Sequence, residues 1–178
     1  MNESKFIMEK ILEFVGKNQP PESVTENNRV LSTILFNDIV NSTQLQFELG
    51  DSQWKEKILE FNRLCKEQIA SFDGVFVKSM GDGILATFDG PSRAINCACI
   101  INKGVRSLGL AVRSGLHVGE IEKIEEDISG INVNAAARIQ ALAKGGQVLV
   151  SEVLKSLVFG SGIELSLIHI SEPTRPST

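Results

Sequence analysis

The hydrophobic pattern along the chain switches between a strand-like and a helix-like period, and the switches mark its elements. From Val30 through Ile34-Leu35-Phe36 the residues are mostly β-branched, aromatic or leucine, and the run ends at Asn37-Asp38. This predicts a strand over about 30 to 38 that feeds directly into Ile39-Val40-Asn41-Ser42-Thr43, where small polar residues suit a helix start. A short helix that Gly50 can stop then precedes a long one capped by Asp51. In the long one Trp54, Ile58, Phe61, Cys65, Ile69 and Phe72 recur near helical spacing and read as core. Strands over 75 to 79 and 84 to 88 flank Asp82-Gly83, a strong hairpin signal. Pro91 fits the first turn of a helix over 91 to 106, and a strand over 110 to 117 follows. The order is βαββαβ, the ferredoxin-like arrangement of an α+β fold, with a further strand and helix expected beyond it.

The flanks read differently. Residues 1–16 place Phe6, Ile7, Ile11, Phe14 and Val15 near one helical face, with Gly16 as a stop. Residues 17–29, with Pro20-Pro21 among Glu, Ser, Thr and Asn, read as a linker. The main domain is therefore placed at 30–165, and Pro/Ser/Thr-rich residues 166–178 read as a non-native or disordered tail.

The topology gives the two aspartates a common address. In a right-handed βαβ unit the second strand ends at the same sheet edge as the first, and the hairpin after it turns there. Asp38 and Asp82 then meet, close enough to share divalent ions, which two-metal sites hold roughly 3.5 to 4 Å apart. Carboxylates beside a phosphate-binding helix start suit Mg²⁺ or Mn²⁺. The plain alternatives are a helix-capping Asp38 and a turn Asp82, and topology leaves the choice open.

Composition narrows the setting. With 178 residues, 42% hydrophobic and 22% charged, the chain can bury one real core. A net charge of -4 with no basic block argues against nucleic acid as a partner. Cys65, Cys97 and Cys99 are odd in number and lack a C-x-x-C spacing, so neither a disulfide framework nor a zinc site is expected. Glu3, Glu9 and Glu13 interrupt any signal-peptide core, and no apolar run reaches the ~18 residues of a membrane span. A soluble, cytoplasmic protein is expected.

Four runs carry a resemblance: Leu35-Phe36-Asn37-Asp38-Ile39-Val40-Asn41-Ser42-Thr43, Val77-Lys78-Ser79-Met80-Gly81-Asp82-Gly83, Val112-Arg113-Ser114-Gly115-Leu116-His117-Val118-Gly119-Glu120, and Asp127-Ile128-Ser129-Gly130-Ile131-Asn132-Val133-Asn134-Ala135-Ala136-Ala137-Arg138. In this order, over about Arg29 to Leu165, they resemble the catalytic domain of class III nucleotidyl cyclases. The resemblance implies an adenylate cyclase that turns ATP into 3′,5′-cyclic AMP and pyrophosphate. It implies two metals, Mg²⁺ or Mn²⁺, on Asp38, Asp82 and the backbone carbonyl of Ile39. Backbone amides around Val40, Asn41, Ser42 and Thr43, together with Arg113, would hold the triphosphate. Asn134 would orient the ribose and Arg138 would stabilise the α-phosphoryl transition state, while Lys78 and Asp127 would read adenine.

The same resemblance implies a head-to-tail homodimer with shared sites, in which Asp38 and Asp82 of one subunit face Lys78, Asp127, Asn134 and Arg138 of the other. The front end looks like a junction to an upstream regulatory domain. Two departures stand out. Asn37 replaces the Thr or Val of many relatives, and after Leu165 a closing hairpin with a Leu-Lys-Gly-like stretch is replaced by sequence that looks like a translated adapter. A guanylate cyclase and a catalytically silent nucleotide-binding dimer are the alternatives. His117 is expected at a strand end in a structural role.

Overall fold

The computed structural model describes residues 28–163 and 165; the expected upstream helix, most of the linker and the tail lie outside them. The centre is β1 (Arg29–Ile39), followed by α1 (Ser42–Leu49), α2 (Asp51–Ser71), β2 (Val75–Ser79), β3 (Gly83–Phe88) and α3 (Pro91–Gly104). A 3-10 turn (Val105–Leu108) leads into β4 (Val112–Ile124), β5 (Asp127–Ser129), α4 (Ile131–Leu142), β6 (Val148–Val150) and α5 (Glu152–Val158).

The strands lie in the order β2-β3-β1-β4-β5, and β6 joins β4. β3 and β4 run antiparallel to β1 on either side of it, and β2 runs antiparallel to β3, hence parallel to β1. This is the expected βαββαβ core. The added strand, β6, runs parallel to β4 along Ser114 to Leu116, while β5 takes the same edge of β4 further on, from Glu122 to Ile124.

Alternation along β1 sorts the two faces. Leu35 and Ile39 join Phe61, Cys65 and Ile69 of α2, Ala94, Ile95, Cys97 and Ile101 of α3, and Leu154 and Val158 of α5 in the main core. The expected α2 stripe is thus the helix face that covers the sheet. Ile34 points the other way, into a second cluster with Leu85, Ile121, Ile128, Val133 and Ala136, beneath α4 and β5.

Three local expectations change. The strand expected to end at 117 continues to Ile124, so His117 lies mid-strand, opposite Ile34, and is 7% exposed. Asp51 does not cap α2; the cap position is Gly50 at φ 78, and the Asp51 carboxylate instead accepts from Gln46 Nε2 at 3.0 Å. The helix expected over 91 to 106 stops at Gly104 and tightens into the 3-10 turn.

Candidate active site

Asp38 is the point where three strands meet. Its Cα partners are Gly83 on β3 and Arg113 on β4. Gly83 is required here by space: a Cβ would stand 2.8 Å from the Asn37 carbonyl oxygen, which is backbone and cannot swing aside. The close approach lets Ile39 N–H donate to the Asp82 carbonyl at 2.9 Å, which ties the hairpin to the end of β1. Asp38 and Asp82 are thus brought to one edge, as the topology predicts. Together with Ile39, Val40, Asn41, Ser42, Thr43, Gln44 and Arg113 they line an open cavity of about 470 Å³.

Arg113 donates from Nε and Nη2 to the same oxygen, Asp38 Oδ2, at 3.1 and 2.9 Å. Its Nη1 reaches the Ala141 carbonyl at 3.5 Å. Asp38 Oδ1 and the whole Asp82 carboxylate have no hydrogen-bond or ionic partner among the described residues. Beneath them Asn37 is fully buried, with Nδ2 donating to Ser114 Oγ at 3.0 Å. This bond crosses from β1 to β4 and accounts for an amide at this position. Its Oδ1 is without a partner among the described residues.

The donor set fits a hard divalent cation bound together with phosphates. Mg²⁺ sites use one or two carboxylates and leave the remaining positions to water and substrate oxygens. The Asp82 carboxylate and Asp38 Oδ1, both facing one cavity without a partner among the described residues, match that pattern. A dedicated all-protein cage does not, because no cluster of three or more His, Cys, Asp or Glu occurs among the described residues.

The anion side is built by the start of α1. Asn41 adopts φ 57 and ψ 31, the left-handed region that asparagine tolerates better than most residues. The first helical bond runs from Leu45 N–H to the Asn41 carbonyl at 3.0 Å, so the amides before Leu45 have no helical acceptor. Those of Asn41, Ser42, Thr43 and Gln44 remain as donors at a helix N-terminus. Val40 corrects the expectation: its N–H donates to the Ala111 carbonyl at 2.9 Å and is spent on the sheet. Gln44 was not anticipated, though it falls in the same first turn and lines the same cavity.

Lys78 and Asp127 form a second cluster. Lys78 Nζ donates to Asp127 Oδ2 at 2.6 Å across 49 residues of sequence. The contact depends on a bulge in β2: the register passes from Phe76 opposite Ala86 to Lys78 opposite Leu85. Ala86 belongs to the helix-covered core and Leu85 to the second cluster, so the bulge turns Lys78 onto the face where β5 begins. Asp127 Oδ1 accepts from Ile128 N–H at 2.8 Å. The Lys78 hydrogen bond and then that amide hold the Asp127 carboxyl below its usual pKa. Asn134 and Arg138 are exposed on α4, with no side-chain partner among the described residues. Neither they nor Lys78 and Asp127 line the Asp38 cavity. Asp38, Asp82 and Arg113 thus share one cavity, while Lys78, Asp127, Asn134 and Arg138 all lie outside it.

Among the described residues no helix is long and apolar enough to cross a membrane. The sequence pattern of the adenylate and guanylate cyclase catalytic domain matches residues 24–169. An adenylate cyclase of Podospora anserina is 30% identical over 175 residues, covering 81% of this chain and 8% of that protein. An uncharacterised protein of Mycobacterium tuberculosis is 30% identical over 125 residues, covering 69% of this chain and 33% of that protein. The chain thus spans a third or less of these relatives. Among solved structures, an adenylate/guanylate cyclase/hydrolase from Silicibacter pomeroyi has a TM-score of 0.65 at 28% identity, covering 76% of this chain and 83% of that one. The adenylyl cyclase CyaB from P. aeruginosa shares the fold, with a TM-score of 0.68 at 21% identity over 74% of this chain and 81% of that one. On the match across residues 24–169, the chain belongs to the adenylate and guanylate cyclase catalytic domain family.

Proposed function

We propose that the chain is an adenylate cyclase, converting ATP to 3′,5′-cyclic AMP and pyrophosphate as a head-to-tail homodimer with shared sites. The observation that carries the choice of base is the 2.6 Å bond between Lys78 and Asp127. An ammonium and a carboxylate held side by side can donate to a ring nitrogen of adenine and accept from its amino group. Two divalent cations, Mg²⁺ or Mn²⁺, held by Asp38, Asp82 and the Ile39 carbonyl, would lower the pKa of the ribose 3′-hydroxyl and neutralise the triphosphate.

The chain's own residues do the positioning. The free amides from Asn41 to Gln44 cradle phosphate oxygens, and Arg113 offers a planar fork to the triphosphate. Asn134 orients the ribose, and Arg138 stabilises charge on the α-phosphoryl group. The 3′-oxygen forms its bond to the α-phosphorus, the bond to the β-phosphate oxygen breaks, pyrophosphate leaves, and the hydroxyl proton passes to solvent. That Lys78, Asp127, Asn134 and Arg138 all lie outside the Asp38 cavity supports a homodimer in which each subunit completes the other's site.

Mass spectrometry of products tests this, after the chain is incubated separately with ATP and GTP, each with Mg²⁺ or Mn²⁺. Cyclic AMP from ATP is expected, with loss of at least about 100-fold in Asp82→Ala, because an electrostatic element of the transition state is removed. Cyclic GMP as the main product would move the assignment to a guanylate cyclase. ATP binding without either product would mean a silent nucleotide-binding dimer.

A further inference from the structure

α4 lies on β4 with unusually little between them. A Cβ on Gly115 would meet the Gln140 backbone nitrogen at 2.2 Å, and a Cβ on Gly119 would meet Asn132 Cγ at 2.3 Å. The two glycines are four residues apart on one face of a strand, a span of about 13 Å. Asn132, Ala136 and Gln140 form one ridge of the helix, and eight helical residues rise about 12 Å. Ridge and groove therefore match in length, and the helix runs antiparallel to the strand along the two glycines.

Between the glycines stands His117, which fixes the helix at its first turn. His117 Nε2 and Asn132 Oδ1 are 3.0 Å apart, and Asn132 Nδ2 donates to the Glu120 carbonyl at 2.8 Å. Because the Asn132 amide nitrogen is the donor in the second bond, its oxygen is the acceptor in the first, and His117 carries its proton on Nε2. Both hydrogen bonds hold one side chain, and that side chain stands on Gly119.

The consequence lies on the other side of the helix. At 3.6 residues per turn, positions two further along a helix lie about 200° away. Asn134 and Arg138 follow Asn132 and Ala136 by two, so they project away from β4, and a small rotation of α4 about its axis swings both. We infer that Asn132 and His117 form a clamp that sets the rotation of α4 and are positioning residues for Asn134 and Arg138. The inference rests on the proposed cyclase reading for its effect on catalysis, while the clamp itself rests on contacts alone.

Kinetics and hydrogen exchange on the full chain test it together. Misplacing a catalytic group by about 1 Å can cost as much as a hundredfold, so Asn132→Ala and His117→Leu are each expected to lower kcat roughly ten- to a hundredfold. KM for ATP should stay within about twofold, since the effect falls on groups acting in the transition state. His117→Gln places an amide donor where Nε2 stood and should recover kcat to within about threefold of wild type. In the Ala and Leu variants the α4 amides should exchange faster than those of α3, and in the Gln variant they should not. Unchanged kcat in folded Ala and Leu variants, or equal loss in Leu and Gln, overturns the inference. If wild type makes neither cyclic nucleotide, the cyclase reading falls, and the clamp is judged on α4 exchange: acceleration in Ala and Leu but not Gln upholds it, and none overturns it.

Discussion

His117 cannot easily accept a second proton. Its Nδ1 is buried and has no partner among the described residues, so a charged ring would add a donor with nothing to receive it. Burial lowers its pKa from the usual 6.5, with the Asn132 hydrogen bond opposing. As pH falls below about 6.5 the unfolded chain takes up this proton before the folded one, so stability is lost from there down through the lower folded pKa, and no further below it. The melting temperature of wild type is therefore expected to fall more steeply across that window than that of His117→Gln; parallel curves would remove His117 from the acid limb. Cys65 and Cys97 show the same force on a different group, both thiols being pushed up to about 12, chiefly by burial. They are packing residues of the main core, Cys65 on α2 and Cys97 on α3. At this scale the meeting of Asp38 and Asp82 was legible from the order of elements, while the roles of Arg113, Asn134 and Arg138 rest on the resemblance. The lost amide of Val40 was not, because its acceptor, the Ala111 carbonyl, is set by strand pairing across the sheet.

Elements were legible where local pattern decides and illegible where a distant surface does. The β2–β3 hairpin follows from turn chemistry, though its turn falls one residue earlier than expected, at Gly81-Asp82, where Gly81 takes φ 87 and Gly83 already belongs to β3; the covered face of α2 follows from its period. β4 did not show its length. Gly119 and the charged residues Glu120, Glu122 and Lys123 look like a strand end, since glycine has no side chain to pack. In the fold the glycine stays in the strand because Asn132 needs the space. The β2 bulge is equally silent, for one extra residue in a ladder leaves no compositional mark. Gly83 offers the clearest test at this scale. A Cβ there would force β1 and β3 apart beside both aspartates, at 2.8 Å from the Asn37 carbonyl and 3.4 Å from Asp38 Oδ1. Gly83→Ala is expected to destabilise by about 1–3 kcal/mol, as overpacking does. Chemical denaturation should report this, with Mn²⁺-dependent nucleotide binding weakened in the same variant at temperatures where it remains folded. An unchanged midpoint and unchanged binding would show that the strands give way at no cost.

For the molecule as a whole, the six strands present one face to α2, α3 and α5 and the other, in part, to α4. The α+β class and its strand order were legible from the sequence of elements, since βαββαβ with right-handed crossovers leaves few arrangements. The expectation that Lys78, Asp127, Asn134 and Arg138 act away from their own chain's Asp38 cavity came only through resemblance, as no single-chain pattern says which residues lie apart. Complementation reads that separation directly. Asp38→Ala and Arg138→Ala chains, each inactive alone, are expected on mixing to regain activity from one intact site per heterodimer. No recovery in proven heterodimers would refute shared sites.

Arg113 makes the carboxylate end of the site an exchange point. Its fork holds Asp38 Oδ2 by two bonds, and in the proposed reaction the same fork serves the triphosphate. A nucleotide that drew the guanidinium away would uncover an oxygen for a cation, and a cation on that oxygen would free the guanidinium for a nucleotide. By linkage each then raises the other's affinity by the same factor. Charge would thus be handed on rather than exposed, with Asp38, paired to Arg113 at rest, keeping a positive partner as substrate arrives.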